Sequence, residues 1–167
     1  MNLINILDIE ASGLHFDSYP IEVAVMVDGK RKSWLIKPEP NWQYWCITAE
    51  NMHGISRELL QREGFEASRV VAELNEFLCH SKCSLYSDAA YWDADWMNIL
   101  YSSVKQVRHF HIGSIFDLLN NSQQTRFRVE KERLATSGRY RHHRAAEDVE
   151  IINAALRLAM VGGTPYE

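Results

Sequence analysis

Two acidic residues stand one apart near the start of the chain, Asp8 and Glu10 in the run LINILDIEAS. Residues 3–9 alternate like a strand, and positions i and i+2 of a strand face the same side. Both carboxylates therefore project together, next to the turn at Ser12-Gly13. Side by side they repel, and a bound hard cation relieves that repulsion. Near the other end, His143 and Asp148 lie five apart in HRAAED. Asp148 falls in the first turns of a helix over residues 144–160, and His143 falls on the loop before it. A movable histidine beside a fixed carboxylate suits a general base next to a metal ligand, and a histidine's ordinary pKa of about 6.5 suits work near neutral pH. His142 is its rival, while Glu147 and Glu150 complement the helix dipole. A third acid, Asp93 in SDAAYWDADWM, opens a helix whose Trp96 and Met97 face inward one turn later. Asp88 and Asp95 compete with it, and any of the three can serve as a helix cap.

These acids sit in a chain of 167 residues, about the length of one domain, which we read as a single domain over 1–167. Lysine and arginine number 18 against 22 aspartates and glutamates, a formal charge of −4. A protein that coats duplex nucleic acid by bulk electrostatics is normally basic, so that class is disfavoured. An enzyme that meets phosphates through bound metal is not. No apolar run reaches membrane-spanning length, and the N-terminal residues lack the basic start of a signal peptide, so a cytoplasmic protein with no membrane partner is expected. Cys46, Cys79 and Cys83 are odd in number. Cys79, His80 and Cys83 lack a fourth zinc ligand, which leaves buried free thiols in a reducing compartment.

The elements that must position the acids follow from periodicity. Strands over 3–9, 21–27 and 33–36 form an antiparallel meander, with Asp28-Gly29 as its hairpin turn. Short helices cover 48–52 and 56–61, the second capped by Ser56. An amphipathic helix over 65–78 buries Val70, Val71, Leu74, Phe77 and Leu78. A short strand over 84–86, a helix over 92–104 and a strand turning into a helix over 110–119 follow. A helix over 129–135 lies within the polar segment 120–143, and the last helix stops at Gly162-Gly163, before Pro165. The pattern predicts an α/β sandwich with a mixed sheet. Arg126, Arg128, Lys131, Arg133, Arg139, Arg141 and Arg144 make a basic segment, read either as a phosphate-tracking edge or as a solvated loop. Trp42, Trp45, Tyr91 and Trp92 are candidates to stack on a base, although aromatics mostly fill cores.

D-x-E on the first strand, an aspartate at a later strand–helix junction and H-x4-D on the final helix, in that order, resemble the histidine-bearing (DEDDh) branch of the DEDD 3′–5′ exonucleases. Ribonuclease T, oligoribonuclease and proofreading exonuclease domains share this pattern. Ala11-Ser12-Gly13-Leu14 resembles the turn that holds the terminal nucleotide in that family, and His53-Gly54-Ile55 resembles its "HGI" segment. The Trp42/Trp45 pair and Ser87-Asp88 are most similar to a small bacterial and phage exoribonuclease subgroup. Ser87-Asp88 departs from ribonuclease T, where a His-Asn pair stands, and this keeps Asp88 open as an alternative ligand to Asp93.

The resemblance implies a ribonuclease H-like α/β fold, a five-stranded mixed sheet with three antiparallel strands first, flanked by helices. It implies that Asp8, Glu10, Asp93 and Asp148 hold two Mg²⁺ or Mn²⁺ ions, with His143 as general base. Ala11, Ser12, Gly13, Leu14 and His53 would contact substrate. The implied activity releases 5′-nucleoside monophosphates from the 3′ end of single-stranded RNA or an RNA 3′ overhang. DNA stays open as the alternative substrate, and a catalytically retired binding scaffold as the alternative to an enzyme. By the same analogy two copies would pair as a homodimer.

Overall fold

The structure is a computed structural model that describes residues 4–78, 84–141 and 143–161. Cys79, His80, Cys83, His142, Gly162, Gly163 and Pro165 lie outside the described residues.

Three strands open the chain: β1 (Ile6–Ala11), β2 (Pro20–Val27) and β3 (Lys30–Leu35). Each pairs antiparallel with the next. The β2–β3 turn places Asp28 at φ 51° and Gly29 at φ 77°. Two successive left-handed residues match the twist of the flanking strands, which is why Asp-Gly marks this hairpin. Helices α1 (Ile47–His53), α2 (Arg57–Glu63) and α3 (Ala67–Leu78) follow, then β4 (Ser84–Ser87), α4 (Ala90–Ser103) and β5 (His111–Ser114). A 3-10 turn over Ile115–Leu118 leads to α5 (Asn121–Ala135) and α6 (Ala145–Val161). The sheet order is β3-β2-β1-β4-β5, with β4 parallel to β1 and β5 parallel to β4. The expected mixed sheet, with three antiparallel strands first, is what forms.

Strand alternation divides the core in two. Leu7, Ile9, Val23 and Val25 pack with Val70, Val71 and Leu74 of α3 and with Trp96, Met97 and Leu100 of α4. Ile6, Ala24 and Met26 face the opposite way, against Phe127 of α5 and Val149, Ile152 and Leu156 of α6. By the same alternation Asp8, Glu10 and Glu22 belong to the α6 face.

Three boundaries differ from the sequence reading. β1 runs on to Ala11, so Asp8 and Glu10 lie within the strand. Its pairing with β2 continues through Glu10↔Glu22 and shifts register between Glu10 and Ala11. α3 begins at Ala67, because Phe65 continues the sheet edge: its N–H donates to Leu35 O at 2.9 Å and its carbonyl accepts from Lys37 N at 2.9 Å. α5 starts eight residues earlier than 129, at a capping box formed by Asn120 and Gln123. Phe127 is its single buried residue, so apolar periodicity could not reveal its length.

The expected cap of α2 is present. Ser56 Oγ accepts from Leu59 N at 3.1 Å, and the helix buries Leu60. Ser56→Ala is expected to destabilise the protein by about 1 kcal/mol. Urea unfolding checks it: the midpoint falls while the slope stays unchanged.

Candidate functional site

β1 carries Asp8 and Glu10 to the face that the N-terminus of α6 covers. Asp148 lies in the first turn of α6, 4% exposed, and Asp93 in the first turn of α4, 1% exposed. One donor atom each from Glu10, His143 and Asp148 lies within 4.8 Å of the others. Asp8 is in electrostatic contact with Asp93, Glu10 and Asp148. Four carboxylates from β1, α4 and α6 thus converge with one imidazole, although Asp8 and Asp148 are 140 residues apart.

Their acidity reports the crowding. Burial, then repulsion from Asp93, Glu10 and Asp148, raises Asp8 well above the usual carboxylate range. Burial and the charges of Asp148 and Glu22 push Glu10 up to about 8. Burial raises Asp93 to about 8, against the hydrogen bond that Ser87 Oγ donates to it. Buried and half-buried carboxylates that repel one another this strongly, with an imidazole among them, form a donor set for a hard divalent cation. The residues present therefore fit Mg²⁺ or Mn²⁺.

The rivals to Asp93 are placed differently, although Asp88 is close enough to repel both Asp8 and Asp93. Asp88 accepts an ion pair from Lys131, and Asp95 is exposed. Of the three acids around the start of α4, Asp93 is the one that sits fully buried in the cluster.

Glu22 is an unforeseen neighbour. It is 2% exposed and paired in register with Glu10. Its carboxylate accepts from Arg144 Nε at 3.0 Å, Arg144 Nη2 at 2.8 Å and Ala145 N at 3.0 Å. This fork ties the start of α6 to the middle of β2. The residue just before it, His143, has φ 63°, a left-handed conformation uncommon outside glycine. The available signal was a lone charge in PIEVAVMV, a strand buried along its whole length.

A pocket of about 280 Å³ opens beside Glu10. Ala11, Gly13, Leu14 and His53 line it, and Tyr44, Cys46, Met52 and Trp96 complete much of its wall. Ser12 is not among its lining residues. Its Oγ accepts from Tyr19 N at 3.1 Å, and its carbonyl accepts from Cys46 N at 2.9 Å, so it braces the turn instead. Gly13 has φ 156°, and a Cβ there would stand 2.8 Å from Cys46 Cβ and from Tyr44 Cε1. The turn needs glycine on both counts.

His53 is buried, and its Nδ1 accepts from Ile55 N at 3.0 Å. That leaves Nε2 to carry the proton. Nε2 has no hydrogen-bond partner. Burial lowers the pKa of this histidine to about 4, so it is neutral at physiological pH.

The stacking candidates separate by exposure. Trp42 is core, stacked on Tyr19 with centroids 5.1 Å apart, and Trp45 donates to Glu50 at 2.5 Å. Trp92 stacks on Trp96 at 5.7 Å, and Tyr91 is 81% exposed. Among the described residues, no helix is long and apolar enough to cross a membrane.

No protein-family model and no curated protein matches the sequence. Solved structures do match the fold. The nuclease domain of 3′hExo, a DEDDh family member bound to rAMP, superposes with a TM-score of 0.68 at 20% identity, covering 95% of this chain and 92% of that one. E. coli exonuclease I in complex with a dT13 oligonucleotide gives 0.70 at 15% identity, covering 95% of this chain. Exonuclease I from Methylocaldum szegediense gives 0.72 at 16% identity, again over 95%. This chain spans 40% of the length of each of those two exonuclease I chains. The likeness shows the fold: ribonuclease H-like α/β, with the five-stranded mixed sheet described above.

Proposed function

We propose that the chain is a metal-dependent 3′–5′ exonuclease of the DEDDh type that releases 5′-nucleoside monophosphates, with single-stranded RNA or an RNA 3′ overhang as its preferred substrate. The observation that carries this reading is the convergence of Glu10, His143 and Asp148 within 4.8 Å, with the half-buried Asp8 and the buried Asp93 alongside and one small pocket at its edge. Asp8, Glu10, Asp93 and Asp148 would hold two Mg²⁺ or Mn²⁺ ions. Such ions, when bound, supply the Lewis acidity that activates water and stabilises the leaving 3′ oxygen.

The chain's own residues do the rest. The pocket, at the small end for ligand sites, accepts the terminal nucleoside and keeps the 3′ end against the acidic cluster. Leu14, Met52 and Trp96 give it apolar walls, and the neutral His53 offers its Nε2–H to a nucleotide oxygen. His143 takes the proton of the attacking water at a ring nitrogen. The clamp of Glu22 on Arg144 and Ala145 holds the loop from which it acts.

RNA is supported by the 3′hExo nuclease domain, bound to rAMP and matched over nearly its whole length. DNA is the second reading, because exonuclease I structures of the same fold hold dT13 and dA16 oligonucleotides. Incubation of 3′- and 5′-labelled RNA and DNA strands of one sequence, with Mg²⁺, Mn²⁺ or chelator, tests polarity, metal need and sugar choice together. The expected result is stepwise mononucleotide release from RNA 3′ ends that chelator stops. Binding without any release would return the chain to a retired scaffold. A homodimer, checked by light scattering, and a cytoplasmic location, which the free thiol of Cys46 suits, belong to the same proposal.

Gly13→Ala tests the pocket separately from the cluster. The added methyl displaces Tyr44 and Cys46 into the space for the nucleoside. Nucleoside monophosphate binding is expected to weaken by about tenfold, as read by calorimetry, while Mn²⁺ binding stays as in the parent.

A further inference from the structure

One cation beside the acidic cluster has no part in the chemistry above. Lys131 comes from α5, and its ammonium pairs with Asp88, an acid outside the proposed ligand set. Both side chains are half-buried: Lys131 is 27% exposed and Asp88 13%. Lys131 also lies within electrostatic reach of Asp8 and Asp148. An ion pair withdrawn this far from water contributes little to stability, because desolvation offsets its attraction. Asp88, in turn, follows Ser87, which donates to Asp93. The pair is thus built into the same strand–helix junction that delivers a carboxylate to the cluster.

Its place matters. The pocket opens on the Glu10 side of the cluster. Lys131 stands on the Asp8–Asp88 side. With a terminal nucleoside in the pocket and its phosphate at the cluster, a strand that continued past Asp8 would meet Lys131. An ammonium has three donors, and Asp88 takes one of them. Arg128, one helical turn earlier on α5, is exposed and lies over the Phe116 ring at 4.5 Å. The two cations therefore share one side of α5, leading away from the cluster.

We infer that Lys131, held in place by Asp88, binds a backbone phosphate on the 5′ side of the scissile bond and begins a phosphate track along α5. The inference rests on the exonuclease reading for the direction of the strand. It gives the Ser87-Asp88 departure a purpose: the aspartate positions a lysine that meets the substrate. It also divides the basic segment, since Lys131 is fixed at the site while Arg133 and Arg139 are exposed.

The test reads binding, not hydrolysis. In an Asp148→Asn background, single-stranded RNA of several different sequences is titrated by fluorescence anisotropy over a range of salt. One phosphate contact to a single strand contributes about 0.7 to the slope of log K against log salt. Lys131→Met is expected to flatten the slope by about that amount, equally for every sequence, and Lys131→Arg to preserve it. An unchanged slope, or no binding of single strands at all, overturns the inference. A second measurement separates a structural role. With all four carboxylates native, Lys131→Met should bind Mn²⁺ as tightly as the parent or tighter, since a neighbouring cation has gone. Weaker Mn²⁺ binding would mean that Lys131 organises the carboxylates, and would also overturn it. A flattened slope in a protein that hydrolyses nothing would uphold the lysine and sink the exonuclease reading. Hydrolysis with an unchanged slope would do the reverse.

Discussion

Asp8→Asn is expected to lower mononucleotide release by about 10³-fold or more and, in the same protein, to raise stability in chelator at pH 8. The two effects share one cause. Asp8 is the acid surrounded by the other three, so its charge is the hardest to bury without a cation. Losing one ligand removes several kcal/mol of transition-state stabilisation, which corresponds to that fall in rate. Without metal the same charge is a liability. Glu10 and Asp93 hold protons up to about pH 8 in the folded state, and Asp8 is raised too. The unfolded chain releases them near the ordinary carboxylate pKa of about 4. Between those limits the folded state binds more protons, so stability falls as pH rises through that window. Asparagine carries no charge and relieves the strain. Melting temperatures at pH 5 and pH 8, with chelator and with Mg²⁺, check the prediction. The variant should melt higher than the parent in chelator at pH 8, with a smaller gap at pH 5. Mg²⁺ should stabilise the parent more than the variant. A parent that melts alike at both pH values in chelator would rule out this account.

His143→Ala is expected to reduce kcat by at least about 10²-fold, with KM little changed and Mn²⁺ affinity retained. The last clause separates two roles. The ring nitrogen of His143 lies close enough to Glu10 and Asp148 to share a metal ion with them. If the histidine is a ligand, Mn²⁺ binding weakens along with the rate; if it is the general base, only kcat falls. His143→Asn is the companion variant, because asparagine tolerates the left-handed backbone at φ 63°. Full rate in either variant would sink the assignment.

The sheet was legible because its strands carry local signals. Asp-Gly after the valine-rich run of β2 gives the hairpin, and alternation places Asp8 and Glu10 on one face. The helix signals were weaker where polarity hid them: α5 buries Phe127 alone, and its start is written only in Asn120 and Gln123. At the site, residue type and order offered several acids, and their partners in the fold differ. Asp88 and Asp93 look equivalent in a string. In the structure Lys131, 43 residues further on, pairs with Asp88, and no local rule reaches that far. Glu22 went unread for a similar reason, since its partners Arg144 and Ala145 lie more than 120 residues away. Ser12 was assigned to substrate by analogy, whereas its hydroxyl holds the backbone of Tyr19.

The separation of Asp8 from Asp148 has a further consequence, one of timing. During synthesis Asp8 and Glu10 are made well before the rest of the site, and Asp148 comes 140 positions after Asp8. At ordinary translation speeds that interval is on the order of ten seconds. Through it the growing polypeptide holds at most three of the four carboxylates and lacks the histidine. A chain broken off anywhere before His143 is in the same condition. If the centre cuts RNA, its messenger lies nearest at the stage when the centre cannot yet exist, and α6 is the helix that arms it.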